Sequence, residues 1–290
     1  VKFSVVIPTY NRAATLRQTL TALMAQDYPD YEIIVVDDGS TDGTRAMIAR
    51  EFPQVRYIYQ QNRGPAAARN RGIAHARGEI IAFTDDDCVP PRDWLARLAD
   101  GYARYPDVVG VGGYLEAPDE VLQRAPLARY ERFIARRVFR VSEREYVGGF
   151  ECPAGGTNNI AYRRAILERV GGFDESFPYA AGEDADLKWR ICQLGARLLY
   201  VPVKMTHLQT YTWESFKRQA RVRGKGRVCF DAKHRAKPTR GRAVLRLLRR
   251  WLVLPREWLD AEYRPFVMVR WIEAWHNFRG EWSMLSERHK

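Results

Sequence analysis

Short apolar runs recur through the first third of the chain, each closed by polar or turn-forming residues. Phe3-Ser4-Val5-Val6-Ile7-Pro8 reads as a buried strand ended by proline, and Tyr31-Glu32-Ile33-Ile34-Val35-Val36 as a second. Val55 to Tyr59 predicts a third strand and Ile80-Ile81-Ala82-Phe83 a fourth. Helical spacing fills the intervals. Leu16, Leu20 and Leu23 share one face, and Ser40, Thr41 or Asp42 can cap the next helix. Gly64-Pro65 opens an alanine-rich helix running to about Ala76. Strand alternating with helix predicts a parallel sheet with helices on both faces.

Beyond this, Pro91 begins a helix with Trp94, Leu95 and Leu98 inward, and Val108 to Val111 reads as a short strand. Residues 118–146 alternate charges with Leu, Phe and Val, which predicts a helix plus a mobile loop. Gly155 to Asn159 is a polar turn, either an ordinary loop or part of an acceptor wall. Gly182-Glu183-Asp184 leads into a helix with Leu187, Ile191 and Leu194 on one face, stopped by Gly195. Ala196 to Val201 reads as a strand closed by Pro202, with His207 just beyond. From Thr212 the pattern is helical, basic and aromatic, so a boundary falls near residue 211.

Polar groups collect where the strands end. Thr9 and Tyr10 follow the first, Asp37 and Asp38 the second, and Asp85, Asp86 and Asp87 the fourth. Burying unpaired carboxylates is very costly, so the three acids belong at the strand mouth, where open α/β sheets bind ligands. Closely spaced hard oxygens suit Mg²⁺ or Mn²⁺, whose shell substrate phosphates can complete. A solvated acidic turn is the plain alternative. A dinucleotide fold would carry GxGxxG after the first strand; Pro8-Thr9-Tyr10-Asn11-Arg12 stands there, which excludes that reading.

Charge adds a second theme. The net charge of the chain is +12. Residues 201–290 hold 21 Lys and Arg against 8 Asp and Glu, so the whole excess belongs to the last third. That imbalance concerns partners rather than fold. Arg240 to Trp258 interleaves Val244, Leu245, Leu247, Leu248, Trp251, Leu252 and Leu254 with Arg246, Arg249 and Arg250. These arginines argue against a spanning helix. A basic amphipathic helix with tryptophan fits the surface of an anionic membrane. A helix packed on its own domain, with arginines facing water, is the rival. Trp258, Trp271, Trp275 and Trp282 add to the membrane reading, while Trp213 and Phe216 read as core. Nucleic acid ranks last, because no binding motif accompanies the charge. Four scattered cysteines, with no CxxC pair, fit a reducing compartment, and Cys88 reads as inert packing. No signal peptide or spanning run stands out, so the expected place is the cytoplasm, peripheral to the inner face of the membrane.

Taken together, Ser4 to Arg12, Val35 to Asp42, Gly64 to Asn70, Asp85 to Asp87 and Gly182 to Asp184 resemble, in order, the family 2 inverting glycosyltransferases with a GT-A fold. The resemblance covers about residues 1–210. It implies a Rossmann-like, mostly parallel α/β sheet, with a nucleotide-sugar half over about 1–115 and an acceptor half over about 116–211. A basic helical extension over 212–290 would follow. The family resemblance also implies roles. Thr9 and Asp38 would read the nucleotide base, usually uracil, between Pro8 and Tyr10, with Arg12 in the same turn. Arg69 would lie near the nucleotide. Asp85 and Asp87 match the DxD motif that holds the metal and diphosphate, with Asp87 in the more direct metal contact and Asp85 or Asp86 nearer the ribose. Asp184 matches the catalytic base, and Glu183 a positioning neighbour. His207 stands where some members have a histidine metal ligand.

The implied reaction moves a sugar from a nucleotide sugar, expected as UDP-linked, to a saccharide, lipid-linked or other hydroxyl acceptor, with Mg²⁺ or Mn²⁺ as cofactor. Each residue keeps a plainer alternative: Asp184 as a helix cap, Asp38 as a turn residue, His207 as a polar strand exit. Two rival functions remain. A nucleotidyltransferase would carry a glycine-rich basic loop after the first strand, where Asn11-Arg12-Ala13-Ala14 offers little. A non-catalytic membrane or nucleic-acid adaptor would have no need of the acids.

Overall fold

The computed structural model describes residues 1–235 and 237–287, without the side chains of Leu254 and Glu287. Leu254 of the expected amphipathic stripe therefore lies outside the described side chains. The strands are β1 (Phe3–Thr9), β2 (Tyr31–Asp37), β3 (Arg56–Tyr59), β4 (Ile80–Phe83), β5 (Cys88–Val89), β6 (Gly110–Glu116), β7 (Tyr146–Gly148), β8 (Ile160–Arg163) and β9 (Leu198–His207). The helices are α1 (Ala13–Met24), α2 (Thr44–Glu51), α3 (Pro65–His75), α4 (Trp94–Arg104), α5 (Asp119–Arg124) and α6 (Pro126–Arg137). Then come α7 (Arg164–Arg169), α8 (Glu183–Gln193), α9 (Trp213–His234), α10 (Arg240–Leu259) and α11 (Val267–Glu287).

Among the described residues the strands form one nine-stranded sheet, ordered β3-β2-β1-β4-β8-β6-β9-β5, with β7 on β9. The β3, β2, β1 and β4 strands run parallel. The β8 strand is antiparallel to both β4 and β6, and β9 runs parallel to β6. As a result β1, β2, β4, β6 and β9 all end at one edge, as the expected mostly parallel GT-A sheet requires.

Alternation along β1 sorts its side chains to two cores. Phe3, Val5 and Ile7 join Leu16, Leu20 and Leu23 of α1 on one face. Val6 joins Ile34, Val36, Ala66 and Ala68 on the other. The alanines of α3 bring that helix close to the sheet, and a Cβ at Gly72 would collide with the Val6 side chain.

Four expectations need correction. The β9 strand does not stop before Pro202 but runs on to His207. Its register against β6 shifts between Gly112 and Tyr114, so Pro202 lies in a bulge where no ladder N–H is required. The β6 strand starts at Gly110 and extends to Glu116, well beyond Val111, because β9 supplies a partner along that length. Residues 118–146 form two helices, α5 and α6, rather than one, followed by a loop over 138–145 and the start of β7. Leu127 and Tyr130 of α6 pack with Phe216 and Val269 of the C-terminal helices, which gives the segment a core of its own. Finally, Phe216 is buried as expected, but Trp213 is exposed, since it opens the first turn of α9.

Candidate active site

At the common strand edge, the end of β1 meets the acids after β4. The Thr9 hydroxyl donates to Asp86 Oδ2 at 2.7 Å. Arg12 Nη1 donates to Asp86 Oδ1 at 3.1 Å and to Asp87 Oδ2 at 2.6 Å. Arg12 can reach both because Asn11 turns the chain with φ of 53°. That turn is held by the Asn11 side-chain oxygen, which accepts from the Thr41 amide at 2.7 Å. Pro8 is half-buried beside this turn, and the Tyr10 ring is exposed at the mouth.

On the far side, β9 delivers His207 opposite Cys88 of β5. His207 Nε2 lies 3.5 Å from Asp87 Oδ1, and the buried Cys88 thiol lies 3.6 Å from the same oxygen. One donor atom from each of Asp87, Cys88 and His207 lies within 4.8 Å of the other two. A carboxylate oxygen with an imidazole nitrogen suits Mn²⁺-type ions, so the donor chemistry fits a divalent cation. With no cation beside it, burial first, then Asp85 and Asp87, push the Cys88 thiol well up.

The electrostatics of the three aspartates differ. Burial raises Asp86 to about 6 despite Arg12 and Thr9. Burial would raise Asp87 also, but His207 and Arg12 outweigh it and hold Asp87 at about 2. For His207, burial lowers the pKa and Asp87 raises it, with a net upward shift. Glu131 of α6 adds to that shift and accepts from Gln209 at 2.6 Å.

The acids after β4 connect to α8 through one buried guanidinium. Arg69 of α3 is 4% exposed, and donates to Asp85 Oδ1 at 2.9 Å and to Glu183 Oε1 at 3.0 Å. Arg69 Nε and Glu183 Oε2 are buried without a hydrogen-bond partner. Orphaned buried polar atoms of this kind suit a site built for a polar ligand. Asp184 is half-buried next along the helix. It is not the cap of α8: Gly182, with φ of 96°, holds that position, and Asp184 Oδ1 accepts from the adjacent Ala185 amide at 2.7 Å. Burial raises the Asp184 pKa, with Asp85 contributing; burial and then Asp184 raise Glu183 to about 7.

Thr9 and Asp38 are joined through the backbone, the Asp38 amide donating to the Thr9 carbonyl at 2.9 Å, but their side chains diverge. Asp38 is buried and accepts from Gln60 Nε2 at 2.7 Å and from the Arg63 and Gly64 amides at 2.9 Å each. Those bonds order the loop that enters α3. A carboxylate has roughly four acceptor directions, so one is left over. Sequence reasoning missed the Arg69–Glu183 link and the nearness of Glu131 to His207. Only the basic type of Arg69 and the paired acids of α8 hinted at the first; nothing local hinted at the second. In the Gly155–Asn159 turn, Asn159 serves packing, accepting from Trp94 Nε1 at 2.9 Å.

Comparison with known proteins places this geometry. The chain is 34% identical over 209 residues to a pre-mycofactocin glycosyltransferase of Mycobacterium tuberculosis, spanning 70% of this chain but only 41% of that relative. It is 32% identical over 234 residues to the glycosyltransferase AglE of Haloferax volcanii, covering 78% of this chain and 72% of the relative. Among solved structures it resembles a mannosyltransferase of Pyrobaculum calidifontis in complex with GDP-Man and Mn²⁺, with a TM-score of 0.67 and 24% identity. That match covers 97% of this chain and 87% of the other. The family model for glycosyl transferase family 2 matches residues 4–171, and the chain belongs to that family, on a GT-A fold.

Proposed function

We infer that this chain is a metal-dependent, inverting glycosyltransferase that takes a sugar from a nucleoside diphosphate donor. One observation carries the reading: Arg69 ties Asp85, after β4, to Glu183 beside Asp184, while Asp87 of the same acid run meets His207. A base candidate and a cation candidate thus share one sheet edge. Asp87 and His207 would hold Mg²⁺ or Mn²⁺, with Asp85 nearest the donor. When bound, the ion offsets negative charge growing on the leaving diphosphate.

The chain's own residues do the rest. Pro8 and Tyr10 wall the base pocket, Asp38 offers it an acceptor oxygen, and Thr9 borders it with its hydroxyl turned to Asp86. Uracil is the expected base, and guanine is the alternative outcome of a donor screen. Arg12 and Asp86 border the ribose and diphosphate. Arg69 holds Glu183 and Asp85 apart and keeps positive charge beneath the site. The first turn of α8 favours the anionic form of Asp184 through the helix dipole. Asp184 accepts the acceptor hydroxyl's proton as the oxygen attacks the anomeric carbon from the side opposite the diphosphate. In-line attack inverts that carbon.

Asp184→Asn tests the assignment. Transfer from a matched sugar nucleotide should fall by roughly 10²–10⁴, as expected for a lost general base, while Mn²⁺-dependent nucleotide binding by calorimetry persists. A variant turning over like the parent removes Asp184 from the mechanism. Pyrophosphate release from a nucleoside triphosphate and a sugar phosphate would point to nucleotidyl transfer instead.

The C-terminal helices suggest where the enzyme works. No helix among the described residues is long and apolar enough to cross a membrane. However, Leu245, Leu248, Trp251, Leu252, Trp258 and Leu259 stand exposed on α10. With the basic excess of this region, that face suits contact with an anionic membrane. Flotation with phosphatidylcholine vesicles, with and without phosphatidylglycerol, tests it. Failure to float with the anionic vesicles removes this contact.

A further inference from the structure

Five guanidinium groups converge where α6 meets the C-terminal helices. Arg223 and Arg227 of α9, Arg246 and Arg250 of α10, and Arg270 of α11 line one cavity of about 310 Å³. The rival picture of α10, with its arginines facing water, fails at these positions. Arg246 and Arg250 turn inward, while Leu248, Trp251 and Leu252 of the same helix face out.

The arginines share too few carboxylates. Arg223 donates to Glu273 at 2.8 Å. Arg227 and Arg246 share Glu281 at 3.3 and 2.7 Å. Arg250 and Arg270 share Glu257 at 2.5 and 3.0 Å. Asp231 lies 3.3 Å from Arg246 and Glu131 also faces Arg223, but of these carboxylates Glu273 and Glu281 line the cavity itself, against its five arginines. Each guanidinium carries five donors, so several N–H groups remain for a further acceptor.

The rest of the lining is apolar. Ile134, Val138, Phe139 and Leu247 form part of the wall. Val138 and Phe139 are 51% and 62% exposed, so the apolar side continues out of the cavity to the surface. A small free anion has no use for such a wall, but an amphiphile does. Phosphate matches the forked guanidinium geometry, and hydrocarbon matches the rim.

We propose that this cavity receives the phosphate headgroup of a membrane lipid, with the chains leaving over Val138 and Phe139 toward the bilayer on which α10 rests. The inference deepens the membrane contact proposed above and rests on it for the source of the lipid. It is independent of the nucleotide site.

Calorimetric titration of the full chain tests it, with short-chain dihexanoyl phosphatidic acid, dihexanoyl phosphatidylcholine and inorganic phosphate as probes. Phosphatidic acid should bind roughly ten-fold tighter than phosphatidylcholine. Inorganic phosphate should bind more weakly than phosphatidic acid. Ala274→Phe, which fills the cavity, should bring phosphatidic acid down to the phosphatidylcholine level, with the melting temperature as control of folding. Should that variant not fold, Arg223→Gln at the rim should give a smaller loss in the same direction.

Equal binding of the two lipids, or phosphatidic acid binding unaffected by both variants, overturns the proposal. Inorganic phosphate binding as tightly as phosphatidic acid also overturns it, leaving a simple anion site. Vesicle flotation reads the surface contact separately. Flotation without headgroup selectivity keeps the contact and rejects the cavity; selective lipid binding without flotation keeps the cavity and rejects the contact.

Discussion

Arg69 holds its charge in a nearly closed position because two carboxylates flank it. Breaking a buried ion pair by deleting one partner costs far more than the pair itself contributes, since the other charge is left uncompensated. In Arg69→Gln, Asp85, Glu183 and Asp184 would repel one another and take up protons. The proposed base would then be occupied near neutrality. The acid limb of kcat/KM should move upward by about one pH unit or more, as measured by a pH–rate profile. In the parent that limb should already lie above the ordinary aspartate range. Burial raises both Asp184 and Glu183, the latter to about 7. The base must be deprotonated to act, so activity falls as pH drops through the apparent pKa of the pair. A limb at the usual carboxylate value would separate Asp184 from the rate. Asp87→Ala makes an independent case. It should abolish Mn²⁺-dependent nucleotide binding in calorimetry while far-ultraviolet circular dichroism stays unchanged.

Between elements, α8 and α9 are fastened behind the proposed base. Asp186, fully buried on α8, accepts from Arg190 Nε at 2.8 Å and His234 Nε2 at 2.6 Å, and Lys233 Nζ of α9 lies 2.7 Å away. Lys233 also donates to Asp174 at 2.7 Å. Burial would raise both aspartates, but these donors win: Asp186 is lowered, and Asp174 falls to about 2. A carboxyl group whose folded pKa is depressed stabilises the fold above its unfolded pKa, near 3.8. That contribution disappears as pH falls toward 2. Asp174→Asn should therefore lose on the order of 1 kcal/mol in urea unfolding at pH 6 and much less near pH 2. An equal loss at both pH values would mean that the pair is not the cause. The α9 and α11 helices meet backbone to backbone. A Cβ at Gly224 would collide with the Asn277 carbonyl, and one at Gly280 with the Arg221 carbonyl. Gly224→Ala should cost roughly 1–3 kcal/mol in thermal or urea unfolding, because two helices must separate.

Across the whole molecule, the nearly neutral first two hundred residues, together with His207, carry the proposed nucleotide chemistry, and the basic remainder carries the proposed lipid contact. Leu252→Asp on the exposed side of α10 should abolish flotation with anionic vesicles without lowering the melting temperature. A lowered melting temperature would mean that Leu252 supports the fold instead. The first half of the sheet was legible because β1, β2 and β4 are short, apolar and bounded by turn residues, so local pattern and tertiary role agree. Pro202 misled because a proline ends a strand only where its missing N–H is needed, and a bulge against β6 removes that need. Trp213 misled because residue type does not reveal which side of α9 meets α6.

Local order along the chain determined the alternating elements, the acids at the strand ends and the basic last third, since each follows from neighbours within a few residues. Contacts between distant segments decided the rest. Asp86 binds Thr9, 77 positions away, and Arg69 reaches Glu183 across 114. The inward turn of Arg246 and Arg250 likewise depends on acids in other helices, and also in part on Glu257 of their own. A sequence states which groups are present, but the pKa of an acid and the facing of an arginine depend on what folding brings within a few ångströms, and that is a property of the packed chain.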